Sequence, residues 1–457
     1  MHVIQQPRRF RRRGWIVLAA FLLAVVLVVS VGAAVTSLHA QGQPHYQSAV
    51  GTPVYLPTPT PTPKSSHANA GASLPSPIIG QPSASAPPII PANTGILYAD
   101  AAGIYLLTSG MAAPEKLNTP GYTSLVPPVL TSGGKLLYAG SAGLYLLDVF
   151  HTSNATPLQI ASIDPQKQII ASMAMSADGQ QVFWSVEPHN GIGTITLYQA
   201  TLTPAGVSTP TLLYSQPTNN CPCYMVFGLA EAGAGKTSKL LLTDNLGTPA
   251  DQGTGLWAFD QVQQQVGAQV LAEDQGEDPL VLSADHTLLA YAPTTGEVPE
   301  PTDGSVPSQV GSQPFGNSMA IVSAASSGSA KPVTIVSPQT NVRSFSAYHW
   351  ITTPTFSPDN QSIAYIQFSS DDTGPYDRHS SLYVASTKGG APKVVANFSA
   401  QLVELGSWLD SHTLLLYADK GIYALDTQTA AISLLSVVQN YSRMVGVVAL
   451  PSDMSGA

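Results

Sequence analysis

The chain has 457 residues, of which 10% are charged, and it contains 38 Gly and 38 Pro. Long solvent-exposed helices need many Glu, Lys and Arg residues, so this composition favours short strands joined by turns. Residues 1–40 hold five Arg and no acid, which leaves 13 of the 18 basic residues against all 27 acidic residues in 41–457. A body with a formal balance of −14 repels phosphate backbones, so we expect no nucleic acid partner.

The amino-terminal region has the pattern of a membrane anchor. Five Arg between Arg8 and Arg13 precede Trp15–Thr36, a run of 22 uncharged, mostly aliphatic residues. About 20 such residues span a bilayer as a helix, and positive flanks stay in the cytoplasm. We therefore predict a cytoplasmic basic tail (1–13), a single-pass transmembrane signal-anchor helix (14–37), and the remainder of the chain outside. The alternative is a signal peptide cleaved near Leu38-His39-Ala40.

Residues 38–95 are predicted to be a Pro/Ser/Thr-rich linker. Twelve Pro lie within 41–95, including the alternating Thr-Pro run from Pro57 to Pro63. Such a segment has few core-forming residues and favours extended polyproline II structure, so we predict disorder. Two interpretations stay open, a spacer that lifts the next domain off the membrane and a linker without a role of its own.

From residue 96 onward one pattern recurs: a tight polar turn, a short apolar strand, a loop and a second apolar strand. The clearest copy is Phe356-Ser357-Pro358-Asp359-Asn360, followed by Ile363-Ala364-Tyr365 and later Leu382-Tyr383-Val384. Ser and Asp side chains bond nearby backbone amides in turns, and the residues that follow suit a buried strand. Seven units occur, with second-strand segments that begin near Ile96, Leu136, Val182, Leu240, Leu288, Ile363 and Leu414.

Units of this spacing with four short strands each predict a β-propeller over residues 96–457. The first unit lacks a preceding strand, whereas Met444–Leu450 forms an apolar strand with no unit after it. We predict that this last strand completes the first blade, which gives seven blades closed by the carboxyl terminus and leaves no long edge exposed. Six or eight blades, an open array and a two-sheet sandwich are the alternatives.

Ser357-Pro358-Asp359-Asn360 and Ser176-Ala177-Asp178-Gly179, each followed by an apolar strand, resemble the TolB-type (WD-like) propeller repeat. The resemblance extends over about 360 of the 457 residues. It implies an all-β propeller that provides a binding surface outside the cytoplasm. The fold hosts many functions and does not name one.

Several segments look like sites but fit structural roles better. Ala230–Thr237 matches a permissive phosphate-loop pattern, yet a strand follows where such a loop needs a helix. The acidic loop Asp371–His379 lacks the spacing of an EF-hand calcium site.

Cys221 and Cys223 are either two loop thiols or a local strained disulfide. His286 and His412 are expected at matching turn positions of two units. We therefore predict no catalytic, cofactor-binding or metal-binding residue and no cofactor.

The loops between the second and third strands of four units are long, at 187–194, 245–255, 293–317 and 369–381. In an up-and-down blade these loops share one face with the connections between blades, and recognition tends to lie on such loops. For 293–317, a disordered insertion without a role in recognition is the alternative. The sequence favours a membrane-anchored extracytoplasmic binding or scaffolding module for a protein, peptide or glycan. Two alternatives remain: a propeller hydrolase or lyase with acids from several blades, and a structural envelope protein.

Overall fold

The computed structural model describes residues 89–451, with gaps at 112, 152–154, 205, 220–222, 232–237, 245–254, 272–279, 294–317, 327–330, 339–348, 371–377, 400–402, 419, 439 and 442. These residues form 29 strands and one short 3₁₀ turn at Val149–His151. No helix in this part of the chain is long and apolar enough to span a bilayer. The predicted tail (1–13), transmembrane helix (14–37) and most of the linker (38–95) lie outside the described residues.

The strands form seven antiparallel sheets that follow one another along the chain, so the prediction of an all-β propeller with seven blades is confirmed. The first three blades lie in the amino-terminal half of the described chain, apart from the inner strand of blade 1, which comes from the other end. Blade 1 holds β1 (Thr94–Asp100), β2 (Gly103–Thr108) and β3 (Glu115–Lys116); blade 2 holds β4 (Val129–Leu130), β5 (Lys135–Gly140), β6 (Gly143–Asp148) and β7 (Leu158–Ser162); blade 3 holds β8 (Gln168–Met175), β9 (Gln181–Pro188), β10 (Thr194–Thr203), β11 (Gly206–Val207) and β12 (Thr211–Pro217).

The remaining blades have four strands each in simple sequence order. Blade 4 holds β13 (Tyr224–Ala230), β14 (Lys239–Asp244), β15 (Leu256–Asp260) and β16 (Gln265–Leu271); blade 5 holds β17 (Val281–Leu282), β18 (Leu288–Tyr291), β19 (Met319–Ser323) and β20 (Val333–Val336); blade 6 holds β21 (Trp350–Phe356), β22 (Ser362–Ser370), β23 (Arg378–Ser386) and β24 (Lys393–Ser399); blade 7 holds β25 (Glu404–Trp408), β26 (Thr413–Ala418), β27 (Gly421–Asp426) and β28 (Ile432–Val437).

The last strand, β29 (Arg443–Ala449), closes the ring as predicted. It pairs antiparallel with β1, from Thr94 opposite Ala449 to Ala99 opposite Arg443. Blade 1 therefore has the strand order β29-β1-β2-β3, with its inner strand from one end of the described chain and its outer strands from the other. Closure of this kind covers the edge of β1, and the ring leaves only short, protected edges.

The core is divided among the seven seams between neighbouring blades. Each hydrophobic cluster joins two adjacent blades, and the clusters together follow the whole ring. On β9, Trp184 packs toward blade 2 whereas its neighbour Phe183 packs toward blade 4, because successive side chains of a strand point to opposite faces. A strand buried on both faces needs an uninterrupted apolar run, which explains the continuous hydrophobic segments of the repeat.

Aromatic residues of the second and third strands stack across several blades. Tyr98 lies opposite Tyr105 with ring centroids 5.2 Å apart, and Tyr365 lies opposite Tyr383 at 5.3 Å with an interplanar angle of 6°. Such pairs stabilise a sheet beyond the area that they bury. In these blades the aromatic residue at the end of the repeat motif is therefore a structural element of the sheet.

Candidate functional site

The turns between inner and second strands share one hydrogen-bonded design in blades 3, 5 and 6. The Ser Oγ atoms of Ser176, Ser283 and Ser357 donate to the Asp Oδ1 atom two residues later, at 2.6, 2.7 and 2.6 Å. Each serine oxygen also accepts a hydrogen bond from the first amide of the following strand at 2.9 Å. These hydrogen bonds fix the backbone where the second strand begins. We call the end of the ring that carries these turns the turn face.

The residue after each of these aspartates has left-handed backbone conformation, with φ of 65° at Gly179, 61° at His286 and 57° at Asn360. The prediction that His286 and His412 occupy matching positions is wrong. The amide of His412 donates to Asp410 Oδ1 at 2.7 Å, as the amide of Thr287 does to Asp285 at 3.1 Å. His412 is therefore equivalent to Thr287, because each lies two residues after the turn aspartate.

Hydrogen bonds of the same kind set the acidity of the turn aspartates. The hydroxyl of Ser176 and the amide of Gln180 hold the pKa of Asp178 below its usual value. For Asp285, burial raises the pKa, but hydrogen bonds from Ser283 and Thr287 outweigh it and the pKa is lowered. These carboxylates are ionised and occupied within their turns, so their role is structural.

A cavity of about 500 Å³ lies in the central channel toward the turn face. Six of the seven blades contribute to its wall through the carboxyl-terminal parts of their inner strands and the turns that follow. The wall includes the aromatic residues Phe356 and Trp408, and Trp408 Nε1 donates to the carbonyl oxygen of Thr355 on the neighbouring blade at 3.1 Å. The cavity is thus built by the closed ring, and no single repeat contains it.

A second group of titratable side chains lies at the amino ends of the inner strands of blades 7 and 1. We call Tyr122, Glu404, Tyr441 and Arg443 the seam cluster. Glu404 begins β25 and Arg443 begins β29, and these two strands pack side by side. Tyr441 stacks on Tyr417 with ring centroids 3.5 Å apart. The loops between second and third strands emerge at this end of the ring, which we call the loop face.

Burial dominates the electrostatics of the seam cluster. It raises the pKa of the Glu404 carboxyl, although Arg443 nearby and a hydrogen bond from the Tyr441 hydroxyl act in the opposite direction. It also raises the pKa of Tyr441, to which the Glu404 charge adds. Burial likewise raises the pKa of Tyr122, and Arg443 opposes this effect. The group therefore combines an acid, a guanidinium and two phenols within mutual electrostatic reach.

Two polar atoms of the seam cluster lack a partner in the described part of the chain. Arg443 Nη2 donates to the carbonyl oxygen of Ser124 at 3.4 Å, whereas Arg443 Nε is buried without a hydrogen bond. The hydroxyl of Tyr122 is also buried without a hydrogen bond. Unsatisfied buried polar groups are costly and are uncommon in a purely structural core. The seam cluster is therefore a candidate site for recognition.

The segments singled out in the sequence are only partly described. Leu240–Leu242 lie in β14 as expected after the phosphate-loop-like run, whose residues 232–237 fall outside the description, as do residues 371–377 of the acidic loop. Cys223 is disulfide-bonded, and the sequence contains one other cysteine, Cys221. Among the described residues, no group of three or more His, Cys, Asp and Glu is arranged to hold a metal ion.

No sequence pattern predicted the seam cluster. Tyr122, Glu404 and Arg443 lie far apart along the chain and belong to no motif. Their proximity depends on ring closure, which brings β29 next to β25. Predicting the seam cluster requires both the closure of the ring by β29 and the register of β29 against β1. The sequence predicted the closure alone.

No known protein-family profile and no curated protein matches this sequence. Solved propeller structures resemble its fold. The periplasmic gluconolactonase from Pseudomonas aeruginosa has 11% identity, a TM-score of 0.48, and a match covering 78% of this chain and 99% of that chain. A TolB-like protein from Agrobacterium tumefaciens has 13% identity, a TM-score of 0.37, and covers 76% and 99%. An oligogalacturonate lyase in complex with manganese has 14% identity, a TM-score of 0.43, and covers 75% and 84%. The likeness is one of fold alone.

Proposed function

We propose that this protein is a binding or scaffolding module that uses the loop face of its propeller to hold a protein, peptide or glycan partner outside the cytoplasm. The observation that carries the proposal is the seam cluster, in which Arg443, Tyr122 and Tyr441 lie within electrostatic reach of one another or of Glu404 at that end of the ring. Arg and Tyr dominate the binding energy of protein interfaces, because they combine a large contact area with hydrogen-bonding groups. Tyr122, Tyr441 and Arg443 are half-buried, so each keeps some surface that a partner can contact.

The partner can be sought with peptide and glycan arrays probed with the purified full chain. We expect reproducible ligands in one array, and weaker binding of those ligands to the variants Tyr122→Phe and Arg443→Gln. Tyr122→Phe removes one hydroxyl and keeps the ring, so a loss of binding reports on recognition. Ser411→Ala on the turn face is the matched control and retains binding. Equal affinity of the ligands for the wild type, Tyr122→Phe and Arg443→Gln would refute the role of the seam cluster.

Residues 14–37 are proposed to anchor the protein in the membrane with the propeller outside. The five Arg before the apolar run support this orientation, and the disulfide bond of Cys223 suits an oxidising compartment. The test is membrane fractionation combined with protease treatment of intact cells. We expect the chain in the carbonate-resistant membrane fraction and the propeller cleaved from outside. A soluble, protease-protected chain would overturn the anchor.

A further inference from the structure

The cavity in the central channel lies at the opposite end of the inner strands from the seam cluster. Its wall includes six aliphatic side chains contributed by blades 1, 2 and 5: Val129, Leu130, Val281, Leu282, Val445 and Val447. All six are only partly buried, so part of their apolar surface faces the channel. Covering this surface with an apolar part of a ligand is favourable, because it removes apolar area from water.

Hydroxyl groups make a substantial part of the wall polar. The hydroxyls of Ser132, Thr355 and Ser407 line the cavity and make no hydrogen bond within the described part of the chain. The turn serines Ser176 and Ser283 also line it, but their hydroxyls are engaged with Asp178 and Asp285. The first three hydroxyls are therefore free to orient a ligand.

The described wall is uncharged at neutral pH. Its only titratable side chain is His286, whose pKa is lowered by burial, although Glu231 and Asp285 act in the opposite direction. A charged ligand entering this site loses its hydration without gaining an opposite charge, which is costly. The wall therefore discriminates against ions and against charged substituents.

The size of the cavity also restricts its ligand. Its volume of about 500 Å³ falls within the range of about 300–1,000 Å³ that is typical of small-molecule sites. Polar groups in the walls of such sites fix the orientation of the ligand, and the hydroxyls of this wall can do the same. A macromolecular partner can bind at the loop face without occupying this cavity.

We propose that the central cavity is a binding site for a small uncharged ligand that combines an apolar body with hydrogen-bonding groups, oriented by the hydroxyls of Ser132, Thr355 and Ser407. The inference is independent of the partner proposed for the loop face. It predicts that occupancy depends on the turns of blades 2 and 3 and is unaffected by Tyr122→Phe.

The test uses two dyes with the same aromatic skeleton, neutral N-phenyl-1-naphthylamine and its sulfonated anionic analogue 1-anilinonaphthalene-8-sulfonate. We expect saturable binding of the neutral dye to the full chain at one site, and at least tenfold weaker binding of the anionic dye. Ala177→Trp places a large side chain at the cavity wall and should weaken the neutral dye at least tenfold. Ser411→Trp, on an exposed turn outside the wall, is the matched control and should bind as the wild type does.

Circular dichroism identifies any variant that fails to fold. If Ala177→Trp does not fold, Ser132→Trp replaces it, because Ser132 is exposed at the same wall. Neutral dye that binds a folded cavity variant as tightly as the wild type would overturn the site. Equal affinity for the anionic dye would overturn the inferred ligand class.

Discussion

The amide of Leu450 donates a hydrogen bond to the carbonyl oxygen of Asn93 at 2.7 Å. This bond extends the pairing of β29 with β1 by one step beyond Thr94 and Ala449. Residues more than 350 positions apart thus complete one sheet, and the ring has no other closure within the described chain.

Deletion of residues 443–457 should abolish cooperative unfolding. The truncated ring lacks β29, exposes the edge of β1, and opens the hydrophobic cluster that joins Ile96 to Leu415 and Ile422 across the seam of blades 1 and 7. Urea unfolding followed by circular dichroism measures the change. Deletion of residues 452–457 alone is the control and should leave the midpoint in place. An unchanged midpoint for the longer deletion would contradict closure by β29.

Ser357→Ala should lower the free energy of unfolding by about 1–3 kcal/mol. The substitution removes the donor to Asp359 and the acceptor for the partly buried amide of Ser362. Ser411→Ala, at an exposed turn position, should change stability by less than about 0.5 kcal/mol. Both values come from urea titrations of the purified proteins. Equal effects of the two substitutions would show that the serine of the repeat is dispensable.

His286→Asn should reduce the loss of stability in acid. Burial lowers the pKa of His286 in the folded protein, so the unfolded chain takes up more protons once the pH falls below the ordinary value of about 6.5. Stability supplied by neutral His286 is therefore present above that pH and lost as the pH falls below it. Asn tolerates the positive φ of this position and does not titrate. Urea midpoints at pH 7.5 and pH 5 measure the difference, which should be smaller for the variant.

Glu404→Gln should stabilise the propeller at neutral pH relative to acid pH. Burial raises the pKa of Glu404, so its contribution is full below the unfolded value of about 4.3 and is lost as the pH rises through the folded value. Gln is isosteric and stays neutral, so the stability of the variant minus that of the wild type should grow between pH 4 and pH 7. A difference that is constant with pH would show that Arg443 and Tyr441 compensate fully for burial.

The sequence predicted the local elements of the propeller well. The Ser-x-Asp turns, the apolar strands after them and the surplus strand at 444–450 follow from side chains that act on their own backbone or pack across one sheet. Those effects operate over a few residues, so one chain without comparison suffices to find them. The error at His412 arose because positions were matched by residue type, whereas backbone conformation and the aspartate hydrogen bond define the turn.

Tertiary structure alone decided which distant residues meet. Gly406 allows the inner strand of blade 7 to approach Met444 on β29, since a Cβ atom there would lie 3.0 Å from Met444 Cγ. That approach and the register of β29 place Arg443 beside Glu404, and ring closure assembles the central cavity from six blades. Local sequence fixes each blade, because turns and strand faces depend on near neighbours. The sites between blades depend on closure of the whole ring, which no single repeat determines.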